Sequence, residues 1–187
     1  MRADDPTGSA IARRAIFLDR DDTLIVDRGY LSDPADVTLL PGVIGAIRRF
    51  RDAGFLCILV TNQSGIGRGY FTSADMDRVN RRMQDLMGEE GAQLDAIYFC
   101  PHAPGDGCAC RKPAPGMLIA AAAEWRIDLA GSFMIGDKLA DVEAAKAAGV
   151  AGILLRTKRN AADSASVAGV PIFANLAEAA SSIVAIH

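Results

Sequence analysis

Along most of this chain, short apolar runs alternate with segments of helical period, and that alternation restricts the fold more than any other feature. Ala15–Leu18, Phe55–Val60, Leu94–Phe99, Ser132–Asp137 and Ala151–Leu155 have strand length. Phe55–Val60 is apolar throughout, as a strand covered on both faces requires. Between these runs, Val43, Ile44, Ile47 and Phe50 share one helix face, as do Met76, Val79, Met83 and Leu86, and again Met117, Leu118, Ala121, Ala122 and Trp125. Pro41-Gly42 opens the first of these helices and Gly54 ends it, while Thr72-x-x-Asp75 has the form of a capping box for the second. Leu139–Ala148 reads as a short Ala-rich helix stopped by Gly149. A short apolar piece, Val170–Phe173, precedes a closing helix carrying Leu176, Ala180, Ile183 and Val184. Strands and helices alternating at this spacing form βαβ units with right-handed crossovers, which predicts an α/β fold: a doubly wound parallel sheet with helices on both faces.

A chain of 187 residues, half of them hydrophobic, suits one well-buried domain. That domain is expected over residues 15–187, behind a loose arm at 1–14 that lacks periodicity, with a polar loop at Arg156–Gly169. No apolar run approaches the roughly 20 residues needed to span a bilayer, and the arm has no hydrophobic centre of the signal-peptide kind. A soluble, cytoplasmic protein is expected, with no membrane partner. A net charge of −3 argues against extended nucleic-acid binding, which requires a basic face.

Chemistry concentrates where the runs end. After Ala15–Leu18 come carboxylates at alternate positions, Asp19 and Asp21, and then the hydroxyl of Thr23. Ionised groups at the end of a buried strand are costly unless a cation or hydrogen-bond donors meet them, although Asp and Thr also serve as turn and helix caps. Thr61–Gly65, Arg111/Lys112 and Asp137/Lys138 follow three later strands, so four segments able to handle a phosphate fall at one sheet edge. Taken singly, Lys112 has the alternative of a solvated surface charge, and Asp141 is as readable as a helix-surface acid as it is as a support behind the site.

Cys57 lies within an apolar run and reads as a small core residue. Cys100, His102, Cys108 and Cys110, in contrast, crowd into eleven residues among Pro104, Gly105 and Gly107, a loop with almost nothing apolar to bury. A structural tetrahedral zinc site would fix such a loop. A disulfide is the rival reading; three thiols with a histidine, in a chain without a secretion signal, favour zinc.

With Asp19-x-Asp21-x-Thr23, Thr61, Lys112 and Gly136-Asp137-x-x-x-Asp141 in this order, the chain resembles the haloacid dehalogenase superfamily of aspartate-dependent phosphatases. The resemblance implies Asp19 as nucleophile and Asp21 as general acid and base. It further implies Thr61 and Lys112 on the transferring oxygens, and Mg²⁺ held by Asp19, the Asp21 main-chain carbonyl and Asp137. A carboxylate is already ionised at neutral pH and needs no base to attack phosphorus. Its difficulty is repulsion from the phosphate, which a cation offsets. The chain departs from the family pattern at Asp22, where glycine is usual. Asp22 there implies either a strained backbone, which Asp tolerates better than most residues, or an ordinary φ.

Cys100-Pro101-His102 followed by Cys108-Ala109-Cys110-Arg111-Lys112-Pro113 is similar to a zinc-loop subgroup holding the heptose bisphosphate and histidinol phosphatases. Thr61–Phe71, with its Arg68-Gly69, and Asp27–Tyr30 lean towards removal of the 7-phosphate of D-glycero-D-manno-heptose 1,7-bisphosphate, in nucleotide-activated heptose biosynthesis. Substrate contacts implied by the resemblance are Asp27, Arg28, Gly29, Tyr30, Thr61, Asn62, Gln63, Ser64, Arg68, Arg111, Lys112 and Lys138. Arg68 or Arg111 offers a planar fork to the second phosphate. Histidinol phosphate is the alternative substrate, and a phosphosugar-binding domain without turnover the alternative class. No large cap domain and a monomer are expected.

Overall fold

The computed structural model describes residues 12–157, 160 and 169–186. Six parallel strands, β1 (Ala15–Leu18), β2 (Leu56–Asn62), β3 (Ala96–Cys100), β4 (Phe133–Gly136), β5 (Ala151–Leu155) and β6 (Ile172–Phe173), form one sheet. Their order is β3-β2-β1-β4-β5-β6. The winding reverses at β1, next to β4, and open α/β sheets bind ligands beyond the carboxyl ends of the strands at such a reversal.

Side chains on a strand alternate between faces, and the core divides accordingly. Ile16, Leu18, Cys57, Leu59, Ile135 and Ile153 pack on one side against α1 (Val43–Asp52), α3 (Ser73–Gly88) and α6 (Leu176–Ile186), through Ile47, Phe50, Val79, Met83 and Ile183. Phe17, Leu56, Ile58, Val60 and Met134 pack on the other side against α4 (Gly116–Trp125) and α5 (Leu139–Ala148), through Met117, Leu118, Ala121, Ala144 and Ala145. Each of the larger aliphatic side chains buried in this way contributes about 1.5–3 kcal/mol. The sheet is thus doubly wound. Among the described residues, no helix is long and apolar enough to cross a membrane.

The capping box forms as its spacing requires: Thr72 Oγ1 accepts from Asp75 N at 3.2 Å and Asp75 Oδ2 accepts from Thr72 N at 2.7 Å. Several boundaries differ from those read in the sequence. β2 runs on to Asn62 because Thr61 and Asn62 pair with Phe99 and Cys100. β3 starts only at Ala96, since the Asp95 carboxylate turns to accept from Cys57 N at 2.8 Å and to pair with Arg51. Within the stretch Thr61–Tyr70, whose small polar residues and glycines carry no helical period, a single helical turn forms, α2 (Ser64–Gly67). Gly65 permits it: a Cβ there would lie 2.1 Å from the Phe71 ring. A 3₁₀ turn forms at Pro34–Asp36, with the Asp33 side chain accepting from Ala35 N.

Residues 1–11 of the expected arm lie outside the described residues, as do 158–159 and 161–168 of the expected loop and residue 187. Chain order begins ahead of β1. Arg13 forms a parallel bridge with Ile127, and the Arg14 guanidinium lies 4.5 Å over the Phe55 ring.

Candidate active site

β1 delivers Asp19 to the carboxyl edge of the sheet, where it is buried beside Lys112, Asp137 and Asp141. Lys112 Nζ lies 2.7 Å from Asp19 Oδ1, 2.6 Å from Asp141 Oδ1 and 2.7 Å from the Val60 carbonyl oxygen. Its own position is fixed by a reciprocal pair at the end of β2: Lys112 N donates to Asn62 Oδ1, and Asn62 Nδ2 donates to Lys112 O, each at 3.0 Å. Lys138 begins α5 and is half-exposed, with Nζ 3.7 Å from Asp137 Oδ1 and 4.0 Å from Asp19 Oδ2. Asp141 also accepts from Lys138 N at 3.0 Å, capping α5. Gly136 is required by this packing, because a Cβ on it would lie 2.1 Å from Asp141 Oδ2.

The electrostatics follow from burial and from these pairs. Burial pushes the Asp19 carboxyl up, but the ammonium groups of Lys112 and Lys138 outweigh it and hold Asp19 below the ordinary carboxylate value. Burial disfavours the Lys112 ammonium, yet Asp141 and Asp19 more than offset it, so Lys112 stays charged. Asp137 is pushed up to about 7, by burial first and then by the charges of Asp19, Asp141 and Asp22, against the opposing pull of Lys138. Its Oδ1 is buried and accepts no hydrogen bond among the described residues. Asp19, Asp137 and Asp141 place carboxylate oxygens within 4.8 Å of one another. Lys112 engages Asp141 Oδ1 and Asp19 Oδ1, which leaves Asp19 Oδ2 and the Asp137 carboxylate for a small divalent cation. Such hard, negatively charged oxygens fit Mg²⁺.

Asp21 stands beside Asp19 in a second network. Its carboxylate meets the Arg20 guanidinium and Gln63 Nε2, and Gln63 Nε2 also donates to Thr61 Oγ1 at 2.8 Å. Burial raises the Asp21 carboxyl and the Asp19 charge adds to this, while Arg20 opposes it. Thr61 and Gln63 are buried; Thr61, Asn62, Gln63 and Lys112, all read as substrate contacts, have polar side-chain atoms engaged by protein. Thr23 is buried also. The stretch Asp27–Tyr30 forms a separate turn: Asp27 Oδ1 accepts from Gly29 N, and Arg28 Nε donates to Asp36 O. Tyr30 reaches Tyr70 edge to face, with ring centroids 4.5 Å apart, tying this turn to the segment after α2. Ser64 starts α2, and Arg68, exposed, ends it.

Three residues that hold the site escaped the sequence reading. Arg20 and Asn80 are both buried, the first between two carboxylates just after β1 and the second on the apolar stripe of α3. A charge and an amide in those surroundings were the available signals. Asn160, which donates to the Asp137 carbonyl at 2.6 Å and the Leu155 carbonyl at 2.7 Å, sits in a polar stretch without periodicity and gave none.

The loop at 100–110 gathers its four candidate ligands. Sγ of Cys100 lies 3.6 Å from that of Cys108 and 3.2 Å from that of Cys110, while His102 Nδ1 lies 3.5 Å from Cys100 Sγ and 3.2 Å from Cys110 Sγ. All four cysteines are free. These separations approach the edges of a tetrahedron, roughly 3.7 Å for sulfur ligands at a Zn–S distance of about 2.3 Å, so the cluster is compatible with a zinc site. The loop then leads directly to Arg111, whose Nη1 donates to the His102 carbonyl at 3.3 Å.

Comparison with known proteins bears on the same residues. A HAD-hydrolase-like family model matches residues 109–179, which include Lys112, Asp137 and Asp141. A D-glycero-beta-D-manno-heptose-1,7-bisphosphate 7-phosphatase of Yersinia pestis is 46% identical over 151 residues, 76% of this chain and 80% of its own. The chain belongs to the haloacid dehalogenase-like phosphatases. A second such phosphatase, of the same name and from Salmonella typhi, is 42% identical over 90% of this chain and 94% of its own. Among solved structures, D,D-heptose 1,7-bisphosphate phosphatase from B. bronchiseptica, complexed with magnesium and phosphate, superposes with a TM-score of 0.86. It is 36% identical and covers 93% of this chain and 99% of its own.

Proposed function

We propose that this chain removes the 7-phosphate of D-glycero-β-D-manno-heptose 1,7-bisphosphate, leaving the 1-phosphate in place, within nucleotide-activated heptose biosynthesis. The observation that carries the chemistry is the Asp19 carboxylate, buried and kept ionised by Lys112 and Lys138. The substrate and its β configuration come from the names of the relatives, which match this chain over most of their own lengths.

In the first half-reaction an Asp19 oxygen bonds to phosphorus as the bond from phosphorus to the sugar O7 breaks, and Asp21 gives its proton to that oxygen. In the second, water attacks phosphorus, Asp21 takes a proton from it, and the bond from phosphorus to Asp19 breaks to restore the carboxylate. Lys112 and Thr61 stay with the phosphoryl oxygens throughout, and Lys138 adds positive charge beside them. Asp19, the Asp21 main-chain carbonyl and Asp137 would hold magnesium, which would supply the charge that offsets repulsion between nucleophile and phosphate. Asp27, Arg28, Gly29, Tyr30, Ser64, Arg68 and Arg111 surround the sugar and its second phosphate. Asn62 and Gln63 serve the substrate through the Lys112 backbone and the Thr61 hydroxyl that they hold. Zinc at Cys100, His102, Cys108 and Cys110 fixes the approach to Arg111 and Lys112 and has no open position for chemistry. Residues 15–187 act as one domain, as a monomer, in the cytoplasm.

The test is phosphate release from the α and β anomers of heptose 1,7-bisphosphate and from histidinol phosphate, with Mg²⁺, beside Asp19→Asn. Release is expected from the β anomer first and is abolished by the substitution. Release from histidinol phosphate alone would overturn the substrate, and silence on all three in folded protein would leave a phosphosugar-binding domain.

A further inference from the structure

Among the described residues Arg20 is the largest fully buried side chain, with 1% of its surface exposed. Burying a guanidinium is costly unless its donors are met and its charge is paired. Four bonds meet that requirement. Nε donates to Asp21 Oδ1 and Nη2 to Asp21 Oδ2, each at 3.2 Å. Nη2 also donates to Gln63 Oε1 at 3.0 Å and Nη1 to Asn80 Oδ1 at 3.2 Å. Of these partners only Asp21 carries a charge. Since an arginine cannot accept, Gln63 must present its oxygen to Arg20, which turns its Nε2 towards Asp21 Oδ2 at 3.2 Å and Thr61. Both lone pairs of Asp21 Oδ2 are then taken, whereas Oδ1 keeps one.

We propose that Arg20 is a positioning residue for the proton carrier Asp21, a planar fork that fixes the rotation of its carboxylate and is itself anchored to α3 by Asn80 and to the end of β2 by Gln63. This rests on the reading of Asp21 as the group that exchanges a proton with the sugar oxygen and with water. The turn after β1 is held by the Arg20 carbonyl, which accepts from Thr23, Leu24 and Ile25 N, rather than by its side chain, and an apolar residue at position 20 would bury more cheaply. What it would not do is stop the Asp21 side chain from turning about its last torsion, which in an aspartate is broad and roughly two-fold. Asn80 supports the same conclusion from the other side: it is a buried amide on the apolar stripe of α3, beside Met76, Val79 and Met83, and its oxygen meets Arg20.

The experiment compares wild type, Arg20→Met, Asn80→Leu and Asp21→Asn, with Mg²⁺ and heptose 1,7-bisphosphate, after circular dichroism and zinc content have established the folded fraction. Positioning predicts that kcat per folded Arg20→Met molecule falls by about 10²-fold, the scale of a catalytic group misplaced by an ångström, with KM changed less than about twofold. Asn80→Leu, which frees one arm of the fork, should lose several-fold in kcat alone. Guanidinium ion added to Arg20→Met should recover part of the loss, which a purely structural role would not produce. If folded Arg20→Met retains kcat within about twofold while Asp21→Asn is inactive, the positioning role is overturned and the reading of Asp21 stands. Turnover by Asp21→Asn overturns that reading and the inference with it. Should Arg20→Met not fold, Asn80→Leu decides, and an unchanged kcat overturns the proposal.

Discussion

At Asp22 the backbone takes φ +57°, a left-handed conformation in which glycine is at ease and a side chain generally costs about 1–2 kcal/mol. This answers the alternative left open by the sequence: Asp22 takes the left-handed backbone and not an ordinary φ. Asp recovers part of the cost locally, since its Oδ1 accepts from Asp27 N at 3.1 Å and so holds the start of the Asp27–Tyr30 turn. Asp22→Gly, which removes the strain together with the hydrogen bond, should change unfolding free energy by less than about 1 kcal/mol, whereas Asp22→Val keeps the strain without the bond and should lose about 2 kcal/mol or more. Urea unfolding of the two variants checks this; equal stabilities would mean that the turn does not depend on the conformation at residue 22.

The loop at 100–110 works as an element although it has no regular structure. Two glycines let other backbones come against it. A Cβ on Gly67 would lie 2.7 Å from Ala103 N, and one on Gly116 would lie 2.2 Å from the Ala109 carbonyl oxygen. Gly67 N donates to Pro101 O and Gly116 N to Ala109 O, so the ends of α2 and α4 are both bonded to the loop. With zinc in this cluster, as proposed, its removal should disturb more than the loop. Chelation, or Cys108→Ser, is expected to lower the melting temperature and to reduce kcat about tenfold or more through displaced Arg111 and Lys112, measured alongside zinc content. Full activity in zinc-free protein would show that the loop holds its shape unaided. These contacts were not legible in the sequence. Apolar runs located β1 to β5, an apolar face or an Ala-rich stretch located the long helices, and the Cys and His residues announced their cluster by crowding. β6 was legible only as a short apolar piece, because two residues are too few to show a period. Glycines that make room for a neighbour, and the turn of α2, depend on partners far along the chain.

For the molecule as a whole, the site is a concentration of negative charge that folding brings together. Asp137 sits at about 7 in the fold against 3.8 in an open chain, raised by burial and then by its neighbouring acids. Between those values the folded protein holds a proton that the unfolded chain has released. The metal-free protein should therefore lose stability as pH rises across that window and level off above about 7. Mg²⁺ requires the ionised carboxylate, so it should raise the melting temperature more at about pH 8 than at about pH 6. Thermal melts of wild type and Asp137→Asn, with and without Mg²⁺, test this; an identical slope in both metal-free proteins would assign the effect to other groups. The motif residues Asp19, Thr61, Lys112 and Asp137 could be picked out one by one in the sequence, but the bonds joining them could not. Lys112 meets Asp19 across 93 positions and Asn62 across 50.

The central place of β1 has a consequence for how the chain is assembled. β1 precedes both of its neighbours, pairing with β2 about Cys57 and with β4 about Phe133, and the Ser132 hydroxyl that receives Ala15 N lies 117 residues further on. During synthesis this wholly apolar strand must wait for most of the domain before its second edge is covered. Loop closure over such separations is slow, and an uncovered strand is open to aggregation until it occurs. Asp19, which follows β1 directly, is thus among the first parts of the site to be made and among the last to be enclosed.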